Sequence, residues 1–298
     1  MSFFILDSDP GVDDACAIIL ADSFFGKDLL AVTTVAGNVS VYKTTINALR
    51  VKENLNISYK VYRGASKPLV KTFSDASDVH GQDGLGDSGL PPPNLKEEEI
   101  SAPEAIIRYA KEGNLSLIAT GPLTNLALAI ILEPELPKMI KDLTVMGGAF
   151  MLTEFGRGNV TPFSEFNFWE DPEAASIVFD SFKRVNVVPL DLTMNPLLWF
   201  DGSDFEAFPQ SKKGSFVKLI TKSFIKRYGK LVLHDAIAVD VHTNMEDYQF
   251  VEGRVKIVIK NGPMRGASFL DKSNDYFHRV YLKPLNEGFK ERFLKSLG

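Results

Sequence analysis

A single cysteine, Cys16, stands among 298 residues, so no disulfide can form within the chain and a reducing, cytoplasmic compartment is expected. Histidine is almost as scarce. His80, His234, His242 and His278 lie far apart, which leaves no Cys/His spacing suited to zinc. Basic charge is not in excess either: Lys plus Arg number 33 against 38 Asp plus Glu, a net charge of -5, so no field exists to hold nucleic acid or an anionic membrane. No apolar run reaches membrane-spanning length, and the first residues lack the cationic-then-apolar pattern of a targeting segment. Repeats, low-complexity blocks and linkers are missing as well. Residues 1–298 therefore read as one domain, and the 45% hydrophobic content is enough for a substantial core.

What the chain does have is acid, crowded at one point. Residues 3–6 are large and apolar, as in a buried strand, and a helical pattern resumes at Val12. Asp7, Asp9, Asp13 and Asp14 surround Pro10 and Gly11, which make a tight strand-to-helix turn. Capping and the helix macrodipole account for one or two carboxylates there, not for four. Like charges a few Å apart destabilise one another, and a bound cation relieves them. An all-oxygen site suits Ca²⁺ or Mg²⁺; the spacing does not match an EF-hand loop.

Further along, strand-like and helix-like segments alternate, which indicates an α/β protein whose strand ends converge on one crevice. Residues 29–35 read as a second strand ending in Ala36-Gly37-Asn38, with helix over 42–54 and a short strand at 61–62. Asn38 either turns the chain or aims its amide into the same crevice as Asp9. Residues 66–93 are rich in Gly, Pro, Ser and Asp and read as a long mobile loop carrying His80 as a lid residue. Helix is expected over 102–111, strand over 115–119, and Thr120 leads into an apolar helix over 123–132, its carbonyl free to face a cation. A strand over 143–146 ends at Met146-Gly147-Gly148, where backbone can approach a ligand. Between 150 and 169, Asn159, Glu165 and Asn167 alternate with Phe155, Phe163, Phe166, Phe168 and Trp169, a mixture that fits a sugar or heterocycle, or an aromatic core loop. A capped helix opens at Asp171, a strand is expected over 185–190, a polar helical region runs to Tyr228, and His234-Asp235 opens another helix. Hairpin strands over 253–259 and 266–270 and a helix over 286–297 close the chain.

These pieces, in this order, resemble the inosine-uridine-preferring nucleoside hydrolases. The matching motifs are Asp7-Ser-Asp-Pro-Gly-Val-Asp-Asp, Thr34-Val-Ala-Gly-Asn, His80-Gly-Gln-Asp-Gly-Leu-Gly, Thr120-Gly-Pro-Leu-Thr-Asn, Met146-Gly-Gly, Glu165-Phe-Asn with Asp171-Pro-Glu-Ala-Ala, and His234-Asp235-Ala. The resemblance implies a single Rossmann-like open, mostly parallel sheet flanked by helices, with a C-terminal hairpin and helix. It implies Ca²⁺ held by the side chains of Asp9, Asp14 and Asp235 and the Thr120 carbonyl, with a ribose diol completing the shell. Asp13, Asn38 and Asn167 would bind ribose hydroxyls, and Asn159 and Glu165 its 5′ end. Asp9 is the implied general base. The leaving base departs with excess electron density, and His234 can protonate it if its imidazolium form is accessible. His234, in place of the Trp of the purine-specific branch, points to uridine-accepting or broad specificity, with His80, Phe166 and Tyr228 as base contacts and Met146 beside the substrate. A homodimer or homotetramer is the family's expectation. Two departures fall near the base: the stretch from Met146 to Asn159 is longer than in the family, and the helix around Phe224 to Tyr228 aligns loosely. Two rival readings are a haloacid-dehalogenase-like phosphohydrolase with Asp7 as nucleophile and a non-catalytic ribonucleoside-binding protein.

Overall fold

Adjacent residues of the early strands bury on opposite sides, which is the mark of a sheet covered on both faces. Ile5 packs with Leu117, Val145 and Val187 in one core, whereas its neighbour Leu6 packs with Val32, Ile118 and Val188 in another. The computed structural model describes residues 2–272 and 275–298. Its strands are β1 (Phe3–Ser8), β2 (Leu29–Thr34), β3 (Lys60–Arg63), β4 (Leu115–Ala119), β5 (Ile140–Met146) and β6 (Asn186–Val188), then β7 (Phe200–Asp201), β8 (Lys230–Leu231), β9 (Tyr248–Ile257), β10 (Ser268–Asp271) and β11 (His278–Pro284). Nine of them form one sheet in the order β10-β9-β11-β6-β5-β4-β1-β2-β3. The pairings from β3 across to β11 are parallel, and β9 and β10 extend that edge antiparallel. This is the α/β arrangement expected.

Helices cover the two faces. The Val12–Phe25, Val41–Leu55, Lys212–Tyr228, His234–Thr243 and Gly288–Ser296 helices share the core that holds Leu6. The Ala102–Glu112, Thr124–Leu132 and Pro172–Ser181 helices share the core that holds Ile5. The first helix is buried without interruption from Val12 to Ala21, as expected of a helix apolar on every side. Asp13 and Asp14 are thereby carried into the interior. No helix among the described residues is long and apolar enough to cross a membrane.

Three expectations need correction. The strand expected over 185–190 stops at Val188, because Pro189 lacks an N–H and the Leu190–Thr193 helical turn follows it. β11 was not foreseen: it slots between β6 and β9 and supplies the buried Tyr281, a placement that only long-range pairing creates. The loop over 66–93 is tied down rather than free. Leu69 N donates to Asp171 (2.9 Å) and Ser74 N to Glu170 (2.9 Å), Lys71 pairs with Glu170, and the Ser77–His80 helix brings His80 inward to 9% exposure.

Candidate active site

In the order β3-β2-β1-β4 the chain direction of assembly reverses between β1 and β4, and the crevice at such a switch point is where open α/β sheets bind ligands. Asp9 follows β1 and Thr120 follows β4; Thr120 N donates to the Asp7 carbonyl (2.7 Å), clasping the two strand ends. Asn38, after β2, locks the third side. Its backbone N–H donates to Asp9 Oδ2 (2.7 Å), and its amide Nδ2 donates to the Asp9 carbonyl (3.1 Å) and to Asp14 Oδ2 (2.9 Å). Asp14 also accepts from Ser8 Oγ (2.6 Å), Gly11 N (3.0 Å) and Thr120 Oγ1 (3.2 Å). Asp235, in the first turn of the His234–Thr243 helix, comes in from the far side of the sequence.

Carboxylate oxygens of Asp13, Asp14 and Asp235 lie within 4.8 Å of one another, all buried, and Asp13 Oδ1 has no hydrogen-bond partner. Burial raises Asp9 and Asp235 well above the ordinary carboxylate range, and neighbouring aspartates push both further up. Asp13 is raised to about 7, first by burial and then by the charge of Asp14. A buried acidic cluster with an unsatisfied oxygen fits a hard divalent cation, which would reverse these shifts by supplying the missing positive charge. Asp9 stands beside this triad but outside it.

Gly37 and Gly121 explain how a carboxylate fits there. A Cβ on Gly37 would overlap Asp9 Oδ2 and lie 2.9 Å from Pro122 Cδ, and one on Gly121 would lie 2.7 Å from Asp9 Oδ1. Gly37→Ala is therefore expected to displace Asp9 and lower kcat/KM by about 100-fold, the scale of an ångström's misplacement. The measurement is steady-state kinetics beside circular dichroism; a variant as active as the wild type would show that the Asp9 position is not constrained.

Around this core, Asn167 Nδ2 donates to the carbonyls of Thr120 (2.8 Å) and Met146 (3.2 Å), joining the β4 and β5 ends. Glu165 caps the Phe166–Glu170 helix, accepting from Gly148 N (2.9 Å), Asn167 N (2.8 Å) and Phe168 N (3.2 Å), so its carboxylate is already engaged with backbone. Phe166 is half-buried beside it. Asp7 is a structural residue. Fully buried within β1, it accepts from Thr33 Oγ1 (2.6 Å) and Asn125 Nδ2 (2.8 Å), and a nucleophile cannot act from inside a sheet. The phosphohydrolase reading fails on that placement.

An adjoining cleft of about 420 Å³ is lined by Phe155, Asn159, Met194, Trp199 and His234. His234 Nδ1 lies 2.7 Å from Thr193 Oγ1. Burial, with the nearby His80, lowers His234 to about 4, so its ring is neutral at physiological pH. His80 Nδ1 accepts from Val12 N (3.2 Å), and burial lowers it to about 4 as well. Its ring lies 5.8 Å from that of Phe224, which lies 5.6 Å from that of the exposed Tyr228. Phe224 thus links two residues singled out from sequence. Thr193, Trp199 and Phe224 were missed as individual residues; the end of β6 was the available signal for the first two, since every neighbouring parallel strand end contributes here.

Residues 4–291 match the family model for inosine-uridine-preferring nucleoside hydrolases. The chain belongs to that family. This nucleoside hydrolase is 34% identical over 276 residues to a pyrimidine-specific ribonucleoside hydrolase, RihB, of Shigella sonnei, spanning 90% of this chain and 87% of the relative. It superposes on a purine-preferring ribonucleoside hydrolase from Gardnerella vaginalis with a TM-score of 0.92 at 30% identity, covering 99% of this chain and 98% of the other. A plant nucleoside hydrolase gives a TM-score of 0.90 at 28% identity, with 99% and 98% covered. Its reaction class is ribonucleoside hydrolysis, and the buried aspartates at the β1/β4 switch point are a cluster that could bind the metal such chemistry uses.

Proposed function

We propose that this nucleoside hydrolase cleaves the N-glycosidic bond of ribonucleosides with one Ca²⁺, accepting uridine within a broad specificity. The observation that supports the metal is the burial of Asp14 and Asp235 together with Asp13, their carboxylate oxygens within 4.8 Å of one another, with Asp9, raised first by burial, close enough to be pushed further up by Asp14 and Asp13. Asp9, Asp14, Asp235 and the Thr120 carbonyl would hold the ion, leaving Asp13, Asn38 and Asn167 for the ribose hydroxyls. When bound, calcium would supply Lewis acidity at this site, making a water there more acidic.

The remaining chemistry belongs to the chain. Breaking the bond to the base leaves positive charge on the sugar, which the surrounding aspartates stabilise. Asp9, at the end of β1 beside the cluster, takes the proton of the attacking water. His234 donates a hydrogen bond from its neutral ring to the departing base, since its imidazolium is not populated at neutral pH. His80, Phe166 and Tyr228 would flank the base, Met146 would lie beside the sugar, and Asn159 and Glu165 would meet the 5′ end. The named relatives differ in base, pyrimidine in one and purine in the other, so base preference varies among proteins similar to this one. A homodimer or homotetramer and a cytoplasmic setting complete the proposal, the latter resting on the lone buried thiol of Cys16.

A reducing-sugar assay over uridine, cytidine, inosine and adenosine tests it. Ribose release from uridine, abolished by chelator and restored by Ca²⁺, is expected. Tight nucleoside binding with no ribose released from any of the four would replace the enzyme by a binding protein, and activity indifferent to chelator would remove the metal.

A further inference from the structure

The Leu190–Thr193 turn is anchored at several points beside the cleft that Leu190, Met194 and His234 line. The carboxylate of Asp191, itself fully buried, accepts from Phe150 N (2.8 Å), Leu152 N (2.7 Å) and Thr153 N (3.1 Å), and Thr153 Oγ1 donates to the Asp191 carbonyl (2.9 Å). Thr193 N and Met194 N close the turn on the carbonyls of Pro189 and Leu190, both at 3.0 Å. Thr193 is fully buried, and among the described residues its hydroxyl has one hydrogen-bond partner, His234 Nδ1 at 2.7 Å. His234 comes from the start of another helix, 41 residues away in sequence.

We propose that Thr193 is a positioning residue for the leaving-base step: its hydroxyl donates to His234 Nδ1 and so keeps the ring proton on Nε2, facing the cleft. This rests on the assignment of His234 as donor to the base. A neutral imidazole has one donor and one acceptor nitrogen, and the partner of one decides the role of the other. Were Thr193 to accept from a protonated Nδ1, its own hydroxyl proton would be buried without an acceptor, a cost that the opposite orientation avoids. His234 Nε2 makes no hydrogen bond to protein among the described residues, and the ring lines the cleft with Met194 and Trp199. The Nε2–H is then the free donor. As the electron pair of the C1′–N bond passes to the base, this N–H hydrogen-bonds an acceptor atom of the base, with no bond to the ring broken. Thr193 is buried and does not line the cleft.

The test combines two variants, two substrates and one spectrum. In Thr193→Val the shape is kept and the hydroxyl lost; in Thr193→Ser the hydroxyl is kept. Uridine needs help with its leaving group, and a p-nitrophenyl riboside does not. Thr193→Val is expected to lose about 10- to 100-fold in kcat on uridine, within the usual range for an acid–base group, and no more than about 3-fold on the p-nitrophenyl riboside, with Thr193→Ser recovering most of the loss. Imidazole ¹⁵N spectra of the wild type should report His234 as the Nε2–H tautomer, and Thr193→Val should shift it. A wild-type Nδ1–H tautomer, an unchanged rate on uridine, or equal losses on both substrates would each overturn the role of Thr193. His234→Ala separates this from the underlying reading: if it loses equally on both substrates, His234 is not the donor, whatever the spectra say of Thr193.

Discussion

Asp9→Asn is expected to fold as the wild type does and to lose about 10³- to 10⁴-fold in kcat on uridine, toward the upper end of what removing a general base costs. The amide is the same size as the carboxylate, and its oxygen can still accept from Asn38 N, which now reaches Asp9 Oδ2 at 2.7 Å. Packing therefore changes little. Losing a buried charge beside Asp14 and Asp13 relieves repulsion, since burial first and those two charges next hold the Asp9 carboxyl high. Thermal stability in chelator should accordingly rise or hold. What disappears is the proposed acceptor for the water proton. Because Asp9 is also a proposed calcium ligand, the rate must be read at saturating Ca²⁺, where a loss of affinity alone would be made good. Near-wild-type kcat under those conditions would hand the base role to another residue, with Asp13, buried in the same cluster, the first to test.

Asp235→Asn should reverse its effect on stability when calcium is added. In chelator, Asp235 is an acid buried among Asp13, Asp14 and Asp9, so its folded pKa lies well above its unfolded value. Between the two values the folded state holds more protons than the unfolded chain, and stability falls as pH rises. Replacing Asp235 by Asn removes that penalty: the variant should melt above the wild type in chelator, by a margin near zero at about pH 4 and widening with pH. At about 2–4 °C per kcal/mol for a protein of this size, several degrees are within reach. His80, His234 and His242 act in the opposite sense, since burial lowers each to about 4; their contribution is lost as pH falls below the unfolded histidine range. The difference between the two proteins reports the carboxylate cluster that Asp235 shares with Asp13, Asp14 and Asp9. With excess Ca²⁺ the order should invert, because a ligand at 100 times its Kd stabilises by about 2.7 kcal/mol and the variant lacks one charge to bind it. Differential scanning fluorimetry from pH 4 to 9, with chelator and with Ca²⁺, measures both halves. A wild type that melts above the variant in chelator at high pH would mean that the acidic cluster carries no repulsion to relieve.

The acidic turn, the strand-end asparagine and the His234-Asp235 helix start were legible because each is local. A tight turn after a buried strand must put Asp9, Asp13 and Asp14 within a few residues of one another, and parallel strands bring their loops to one end of the sheet. Glu165 shows the limit of that logic: its carboxylate looked free, but the Phe166–Glu170 helix behind it needed a cap, and three backbone N–H groups claim it. His80 is similar. A Gly-rich loop suggested mobility, and no local signal reported that Glu170 and Asp171, about 100 residues on, would bind that loop down.

By itself, then, the order of residues determined the fold class, the family and an acidic turn that could help to hold a metal, because strand-to-helix turns and apolar periodicity act over a few residues. Tertiary structure alone decided that Asp235 joins Asp13 and Asp14 while Asp9 stands beside them, that Asp7 is a strut, and that Thr193 meets His234. Those contacts form between chain segments brought together by packing on a shared sheet, and their geometry depends on how side chains fill that space, which no local pattern encodes.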